Sequence, residues 1–596
     1  MSSGLVLHPD TVLAHFRAHA VAVRDDRAFS VLGGASWSWG EWWQASMQVA
    51  AALVRDGVQR GDRVAILAPN TPLWPIADVG VMLAGAVSVG IFPTAAPAQV
   101  AEVLADSGAV FALADGAAQI EKVLDARAAL PALQTVVGGA GDVEGASGWD
   151  AWMESGAHAL DDSTLRAAVE RRAADVAPAD RAAIVYTSGS TGRAKGALIS
   201  HATLLASAQS VATTLSLGAG DRSLSFLPYC HAGERIFGHC TRLLTGMSAT
   251  LVPHSSLVWQ AAEEFSPTIF GGTPRFFERA AEALRAAMRN AGDEDCGRWQ
   301  EAERLGRARS RLRQQGSPVP AELEGAWSAA VNVASPVLHA HFGTALRVAT
   351  SGGATLNVDA AALLDAFGVT VLGAYGQTEH LCGTMHRPEA YDFSGVGMPM
   401  PGSEVRIAAD GEILFRRGAL TFDGYHELDR ESAEAFTPDA EWLRTGDLGA
   451  LLPNGGLQVT GRKKELIALS TGKKVAPLPI ESALEGEDFI AHAVCVGEGE
   501  KFLAALLTLR AQRAEEWARE RGVAPGAAAA APEVLAAVSN AVERVNARLS
   551  QAEQIKRWTL LPEEFSVEGG ELTSLQKIRR AEIVRIHAAS LRALYT

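Results

Sequence analysis

The sequence has 596 residues, of which 48% are hydrophobic and 20% are charged, so it can bury several cores and is long enough for more than one domain. Lys and Arg number 53 against 68 Asp and Glu, and the net charge of −15 argues against a broad basic surface that wraps nucleic acid. The five cysteines form no CxxC pair and no Cys/His cluster at zinc spacing, which indicates neither a disulfide framework nor a structural metal and fits a reducing compartment.

The first segments predict a cytoplasmic protein without a membrane span. Residues 1–10 have no positively charged stretch followed by an apolar core, so we expect no secretory signal. Residues 75–92 are apolar and have about the length of a membrane-spanning helix. Asp78, three glycines and the flanking prolines favour a buried helix and strand of an α/β domain instead.

Apolar strand-like runs alternate with Ala-rich helical stretches through the first three quarters of the chain, as at residues 63–67 and 182–186. This alternation predicts βα units and parallel sheets covered by helices. After Gly461 a charged patch is followed by short strands and then helices. We therefore predict an α/β fold, with a large N-terminal domain of layered sheets and helices at residues 1–461 and a small, mobile α+β domain at residues 462–596.

Residues 275–313 are rich in Arg, Glu and Ala. This composition predicts a solvated pair of helices with mixed charge. A peripheral contact with anionic lipid through the same arginines stays open as the alternative.

Residues 184–196, IVYTSGSTGRAKG, hold a strand-like run that leads into six small or hydroxyl residues. The six are Thr187, Ser188, Gly189, Ser190, Thr191 and Gly192. Small residues let backbone N–H groups approach an anion, hydroxyls add donors, and Lys195 supplies a mobile positive charge, which together suit a polyphosphate. The segment does not match the Walker pattern, because Ala194 precedes Lys195 and Gly196 follows it.

Six motifs follow one another in a fixed order: TSGSTGRAKG, LPYCHAGER (227–235), SGGA (351–354), YGQTE (375–379), TGD (445–447) and GRKKELI (461–467). Together they resemble the adenylate-forming enzymes, which include acyl-CoA synthetases, nonribosomal peptide adenylation domains and luciferases. The resemblance runs from about Trp37 to the C-terminal helix. LPYCHAGER is similar to the LPLxHxxER segment of the long-chain acyl-CoA synthetase branch.

The resemblance implies an ATP site. Its residues are the six of the Gly/Ser/Thr loop with Lys195, Gly352, Gly353, Ala354, Tyr375, Gly376, Gln377, Thr378, Asp447 and Arg462. The aromatic face of Tyr375 can stack on adenine, and Glu379 can give a carboxylate oxygen to Mg²⁺ bridging the phosphates. Asp447 can accept both ribose hydroxyls, although an Asp that caps a turn is the alternative at this position.

The same resemblance implies catalytic roles for Lys577, Thr378, Glu379 and His231. In ELTSLQKIRR, Lys577 matches the family lysine that bridges the carboxylate and the α-phosphate, while Ser574 and Leu575 depart from the family's LTPTLK. His231 is expected near the acyl and phosphate groups, with a buried structural histidine as the alternative.

Two further segments are expected to serve the second half of the reaction. Lys464 matches the hinge residue about which the small domain swings. Gly472 and Lys473, in STGKKVAP just beyond the hinge, are expected on the coenzyme A side, with a plain polar turn as the alternative.

The implied reaction is the ATP- and Mg²⁺-dependent conversion of a fatty acid to acyl-AMP, followed by transfer to coenzyme A. The expected partners are these small molecules and no nucleic acid; residues 270–278, FGGTPRFFE, are expected to line an apolar tunnel for the acyl chain. Three alternatives stay open: an acyl-AMP ligase that loads a carrier protein, a ligase of aromatic or short acids, and an inactive relative that binds acyl chains or a partner.

Overall fold

The computed structural model describes residues 5–139, 143–187, 194–573 and 577–596. The helices are α1 Val12–Ala22, α2 Trp39–Arg55, α3 Leu73–Leu83, α4 Pro97–Ser107, α5 Ala117–Arg127, α6 Trp149–Asp161, α7 Ser163–Ala174, α8 His201–Leu215, α9 Thr241–Thr245, α10 Val258–Phe265, α11 Pro274–Arg289, α12 Asp293–Gln314, α13 Ala321–Ala330, α14 Ser335–Phe342, α15 Val358–Ala366, α16 Asp429–Glu434, α17 Pro477–Glu485, α18 Ala511–Arg521, α19 Pro532–Asn546, α20 Arg580–Ile586 and α21 Ala588–Ala593.

The strands alternate with these helices, as the sequence predicts. They are β1 Arg27–Val31, β2 Ser36–Ser38, β3 Arg63–Leu67, β4 Val87–Gly90, β5 Phe111–Ala114, β6 Thr135–Gly138, β7 Ser147–Gly148, β8 Arg181–Thr187, β9 Lys195–Ser200, β10 Arg222–Ser225, β11 Ser248–Leu251, β12 Ile269–Gly272, β13 Val348–Gly352, β14 Val371–Gln377, β15 His380–Met385, β16 Met398–Pro399, β17 Val405–Ile407, β18 Glu412–Arg416, β19 Trp442–Leu451, β20 Leu457–Arg462, β21 Ile467–Ala468, β22 Lys474–Val475, β23 Ile490–Val496, β24 Leu503–Leu509 and β25 Ile555–Leu561.

Two large sheets form the N-terminal part. Within the described residues, one has the order β16-β15-β14-β13-β12-β10-β11-β1-β2 and the other the order β7-β6-β5-β3-β4-β8-β9. The central strands pair in parallel and are buried, which explains their continuous apolar runs such as Ala65 to Leu67. Antiparallel strands, β9 beside β8 and β15 beside β14, extend each sheet next to the motif-bearing loops.

The two large sheets meet where the loop after β10 packs on the end of β4. A Cβ on Gly90 would lie 2.7 Å from the Cβ of Cys230, so only glycine allows this approach. Beyond the loop, a π-helix at Glu234–Cys240 places Arg235 against α3, where its Nη2 lies 2.6 Å from Oδ1 of Asp78. Burial alone would raise the pKa of Asp78, but Arg235 and His239 hold it below its ordinary value.

A smaller unit follows the four-stranded sheet β17-β18-β19-β20. It contains the hairpin β21-β22 and the sheet β23-β24-β25, which packs against α17 and α19. This arrangement confirms the predicted α/β class, with a large N-terminal part and a separate small C-terminal domain. The boundary at residues 461/462 and the mobility of the small domain stay predictions.

Secondary structure and charge pairing bear on the two segments that have alternative interpretations. Residues 75–92 form most of α3 and all of β4, as expected. Among the described helices, none combines the length and the apolar character needed to cross a bilayer. The Arg-rich segment forms α11 and α12, whose arginines pair with acidic neighbours such as Glu301 and Glu303 at 2.6 and 2.7 Å. This is the predicted helical pair of mixed charge; a lipid contact stays a prediction.

Candidate active site

The adenine-side motifs meet at the carboxyl ends of neighbouring parallel strands. Gly352 ends β13 and pairs with Ala374 of β14, one residue before Tyr375. Gly353 has a φ of +83°, a conformation that favours glycine, and it turns the chain sharply away from the strand. Ala354 and Gly376 are exposed at the same edge, and Gln377 is the last residue of β14. The sequence therefore brings the expected base-binding residues to one edge of the sheet.

Tyr375, Asp447 and Arg462 form a chain of polar contacts. The Tyr375 hydroxyl donates to Oδ2 of Asp447 at 2.8 Å, and Nε of Arg462 lies 3.2 Å from Oδ1 of the same carboxylate. Burial raises the pKa of Asp447, and Arg462 opposes this rise. Burial together with the Asp447 charge raises the pKa of Tyr375, so its hydroxyl stays a donor.

The alternative of Asp447 as a turn cap is wrong. Asp447 lies inside β19, opposite Arg462 of β20. Gly446 has a φ of +73°, and residues 445–447 of β19 lie opposite the single residue Ile413 of β18, so a bulge interrupts the strand here. The bulge directs the carboxylate toward the hydroxyl of Tyr375.

Lys577 lies at this site, although it is far away in the sequence. Two hydrogen bonds join it to Thr573: the Thr573 N–H donates to the Lys577 carbonyl at 2.8 Å, and the Lys577 N–H donates to Oγ1 of Thr573 at 3.1 Å. Its Nζ lies 3.7 Å from the position that a Cβ on Gly353 would occupy. Burial and the nearby Arg462 lower the pKa of Lys577, and Asp447 opposes them. The two departures from the family pattern, Ser574 and Leu575, lie outside the described residues.

His231 faces the same amine. Its Nδ1 accepts a hydrogen bond from the Gly233 N–H at 3.1 Å, which leaves the Nε2 proton available for a ligand. Burial and the positive charge of Lys577 lower the pKa of His231 to about 4, so the ring is neutral near pH 7. Asn70 fixes the start of the loop by donating to the carbonyls of Ser225 and Leu227 at 3.0 and 2.9 Å.

The Gly/Ser/Thr loop that is expected to bind phosphates is described only at its two ends. Thr187 ends β8 and pairs with Lys195 of β9 across the loop; Ser188, Gly189, Ser190, Thr191 and Gly192 lie outside the described residues. Nζ of Lys195 lies 5.1 Å from the ring centroid of Tyr425, whose hydroxyl donates to Oε1 of Glu379 at 2.6 Å. Thr378 and Glu379 occupy the turn between β14 and β15.

Tyr425 was missed by the sequence analysis. Burial and the Glu379 carboxylate raise its pKa, so the phenol remains a donor to Glu379. It connects two predicted site residues that are separated by more than 180 positions in the sequence. Its only local signal is the preceding Gly424, whose φ of +116° the sequence cannot reveal.

The expected hinge lies in a short 3₁₀ turn, Lys463–Glu465. Nζ of Lys463 bonds Oδ2 of Asp410 at 2.7 Å and Oε2 of Glu412 at 2.8 Å, and the other oxygen of Glu412 accepts from the Gly446 N–H at 3.0 Å. The residue before Lys464 is therefore connected through Glu412 of β18 to Gly446, the residue before Asp447. Gly472 and Lys473 lie in the exposed turn between β21 and β22.

Ion pairs join α11 to the C-terminal domain. Nη2 of Arg275 lies 2.7 Å from Oε2 of Glu564, and Arg510 pairs with Glu282. Except for the better exposed Arg289, which pairs with Glu516 at 2.5 Å, these side chains are largely buried. The partners are more than 220 residues apart, so no local sequence pattern indicates these pairs. These pairs hold the small domain where Lys577 reaches Gly353.

Comparisons with known proteins agree with this geometry. The AMP-binding enzyme family profile matches residues 16–426, and the profile of the AMP-binding enzyme C-terminal domain matches residues 464–596. The long-chain-fatty-acid–CoA ligase FadD15 of Mycobacterium bovis is 33% identical over 574 residues, which cover 93% of this chain and 91% of the relative. The long-chain-fatty-acid–CoA ligase ACSBG2 of Xenopus laevis is 25% identical over 640 residues, which cover 99% and 84%.

Solved structures share the fold. The anthranilate CoA ligase AuaEII, solved in complex with anthranoyl-AMP, superposes with a TM-score of 0.75 at 20% identity, covering 100% of this chain and 99% of that one. The adenylation domain of a carboxylate reductase from Mycobacterium chelonae gives a TM-score of 0.74 at 20% identity, covering 98% and 91%. From the two profile matches and the FadD15 relative together, the chain belongs to the AMP-binding enzyme family.

Proposed function

We propose that the protein is an ATP-dependent acid–thiol ligase that converts a long-chain fatty acid to acyl-AMP and then to acyl-CoA. The observation that carries this proposal is the position of the Lys577 amine, against Gly353 and beside the Arg462–Asp447 pair. The long-chain substrate rests on the names of the curated relatives. We propose that residues 1–461 and residues 462–596 form the two domains of this ligase.

The assignments of the ATP site follow the geometry of the strand ends. Tyr375, Gly352, Gly353, Ala354, Gly376 and Gln377 would surround adenine, and Asp447 with Arg462 would hold the ribose. Thr187, Lys195 and the loop between them would bind the phosphates. Asp447 suits a ribose because its carboxylate already accepts hydrogen bonds at this edge of the sheet.

Glu379 and Thr378 suit Mg²⁺. The pair supplies a carboxylate oxygen and a hydroxyl in a turn, and Tyr425 fixes the carboxylate through Oε1. A single protein carboxylate together with substrate phosphates is the usual form of such a site. When bound, the ion would neutralise charge on the ATP phosphates.

In the first step, an oxygen of the fatty-acid carboxylate attacks the α-phosphorus and the bond to pyrophosphate breaks. The Lys577 ammonium lies where it can offset the charge on the carboxylate and α-phosphate oxygens. His231, neutral and with Nδ1 already occupied, offers its Nε2 proton to one of these oxygens.

In the second step, the coenzyme A sulfur attacks the acyl carbonyl as a thiolate, the carbon–oxygen bond to AMP breaks, and the thiol proton passes to solvent. Lys577 fills the space beside Gly353, so it has to withdraw before a pantetheine arm can enter. Rotation about Lys464 would break the Arg275–Glu564 and Arg510–Glu282 pairs that join α11 to the C-terminal domain, and it would bring the turn of Gly472 and Lys473 toward the thiol.

The direct test measures ATP–pyrophosphate exchange with fatty acids of graded length, followed by mass spectrometry of the product with coenzyme A. We expect exchange with long-chain acids and an acyl-CoA product. Exchange without transfer to free coenzyme A would indicate a carrier-protein ligase, and exchange with aromatic or short acids alone would contradict the long-chain assignment. No exchange with any acid would identify an inactive relative.

A further inference from the structure

Asn70 connects the two large sheets next to the loop that carries His231. It lies between β3 and α3 and is 4% exposed. Its Nδ2 donates to the carbonyls of Ser225 and Leu227 at 3.0 and 2.9 Å. Ser225 ends β10 of the other large sheet, and Leu227 lies in the loop that follows. Both protons of one side-chain amide therefore hold the start of this loop.

The side chain at position 70 has to be a hydrogen-bond donor. A backbone carbonyl only accepts, so the amide nitrogen of Asn70, and not its oxygen, faces the two carbonyls. The Ser225 carbonyl also accepts from the Val252 N–H at 2.9 Å, which continues the pairing of β10 with β11. Asn70 therefore binds at the point where β10 ends and the loop begins.

A short chain of fixed groups leads from the Leu227 carbonyl to the imidazole. Pro228 follows Leu227 directly, and its ring restricts the backbone φ at this position. The Pro228 carbonyl accepts from the His231 N–H at 2.9 Å, which closes a turn between them. The Gly233 N–H then donates to Nδ1 of His231 at 3.1 Å and fixes the ring. A shift of the Leu227 carbonyl would therefore move the imidazole.

The rest of the loop packs against the same neighbouring sheet. Tyr229 stacks on Trp74 of α3, with ring centroids 4.9 Å apart and an interplanar angle of 15°. Cys230 lies against Gly90 of β4, where an added Cβ would come within 2.7 Å of the cysteine Cβ. Apolar packing has little directional preference, whereas hydrogen bonds are directional. The two bonds of Asn70 therefore set the orientation in which the loop packs.

The role proposed for His231 requires an accurate position. Its ring is close enough to Lys577 for the positive charge to lower the pKa of the imidazole, and its Nε2 is the atom offered to the reacting oxygens. A hydrogen bond weakens steeply when its angle or length departs from the optimum. A misplacement of about 1 Å at a reacting centre can cost about a hundredfold in rate.

We propose that Asn70 is a positioning residue for His231 in acyl-AMP formation. Its amide holds the loop after β10 from the opposite sheet, so that the Nε2 proton of His231 meets an oxygen of the fatty-acid carboxylate or the α-phosphate. Asn70 acts on the reaction through the histidine. The inference rests on the proposed function, because that function gives His231 its role in the first step.

The test is a double-mutant cycle of Asn70→Ala and His231→Ala, measured by ATP–pyrophosphate exchange with dodecanoate. We expect Asn70→Ala to lower kcat about tenfold when His231 is present. When His231 is already replaced by alanine, the same change should lower kcat less than about twofold, because the amide then has no imidazole to place. The KM for ATP should stay within about twofold, since Tyr375 and Asp447 lie on other strands.

Asn546→Ala is the matched control. Asn546 of α19 also makes two side-chain hydrogen bonds to backbone: its Nδ2 donates to the Ile555 carbonyl and its Oδ1 accepts from the Ile555 N–H, each at 2.9 Å. We expect its replacement to change kcat less than about twofold in both backgrounds. Similar decreases of the thermal unfolding midpoint in Asn70→Ala and Asn546→Ala would show that lost stability does not cause the loss of kcat.

Equal fold-losses of kcat with and without His231 would overturn the inference, and so would an unchanged kcat in Asn70→Ala. If Asn70→Ala does not fold, Asn70→Ser, which keeps a shorter donor, decides by the same comparison; we expect a smaller loss that again depends on His231. Wild-type exchange in His231→Ala would also overturn the inference, while the ligase assignment would stand. Absence of exchange in the wild type with every acid would instead contradict the proposed function, and the role of Asn70 with it.

Discussion

Replacement of Lys577 by alanine should separate the two half-reactions. The amine lies against Gly353 in the arrangement described here, and the proposed second step takes place after it has left. The substitution should therefore slow acyl-AMP formation and leave thioester formation from supplied acyl-AMP nearly unchanged. Lys577→Ala removes one long side chain and no residue of the hydrophobic core, so the fold should persist.

The size of the effect follows from the charge environment. Two unit charges about 4 Å apart at an effective dielectric constant of about 20 interact by about 4 kcal/mol. Arg462 lies nearby and remains in the variant, so the net loss is smaller. We expect about 3 kcal/mol in the transition state, or roughly a hundredfold in the rate of the first step.

The assay follows ATP–pyrophosphate exchange for the first step and acyl-CoA formation from synthetic acyl-AMP for the second. Lys556→Ala is the control, because Lys556 is an exposed lysine of the same domain whose amine bonds Gln554 at 2.7 Å. It should affect neither step. Equal losses of both half-reactions in Lys577→Ala, or no loss in the first, would refute the reasoning.

Three further predictions test the domain contact, the core and the pH response. Glu282→Gln weakens the ion pair with Arg510 and should slow adenylation about fivefold while sparing thioester formation from acyl-AMP, measured by the same two assays; a loss in the second half alone would contradict this. Asp78→Asn leaves Arg235 buried without its charge partner and should lower the free energy of unfolding by about 3 kcal/mol, measured by denaturant unfolding above pH 5. The loss should begin to shrink as the pH falls below the ordinary pKa of 3.8, because the unfolded carboxyl then takes up a proton that folded Asp78 does not, and it should disappear at the lowered pKa of the folded protein; a difference that stays constant as the pH falls below 3.8 would contradict this. Burial and Arg462 lower the pKa of Lys577 from its ordinary 10.5, so the rate of adenylation should fall as the pH rises through that lowered value. Lys577→Arg should move this fall to higher pH in the profile of kcat/KM against pH. A profile that does not move would assign the fall in rate to another group.

The sequence predicts the parts of the site that are local in the chain. The run of residues 182–186 correctly indicates a strand, because its continuous burial is written in neighbouring apolar residues. The sequence predicts the local structure around Asp447 less well. TGD has the composition of a turn, and only the pairing with β18 shows that the glycine forms a bulge inside a strand.

The remaining contacts depend on the packing of distant segments. No spacing indicates that Tyr425 lies between Lys195 and Glu379, or that Arg510 meets Glu282, since each contact requires that two separately folded elements come together.

The contact of Tyr425 with both Lys195 and Glu379 has a consequence for how the phosphate site tolerates change. One aromatic ring touches a cation on its face and donates to a carboxylate from its hydroxyl, so the three side chains behave as a single unit. A substitution of any one of the three should therefore displace the other two side chains. The effect of a second substitution among the three should then be smaller than the effect of the same substitution made alone. Lys195 and Glu379 would therefore have to change together, while the Tyr425 phenol that contacts both stays the same.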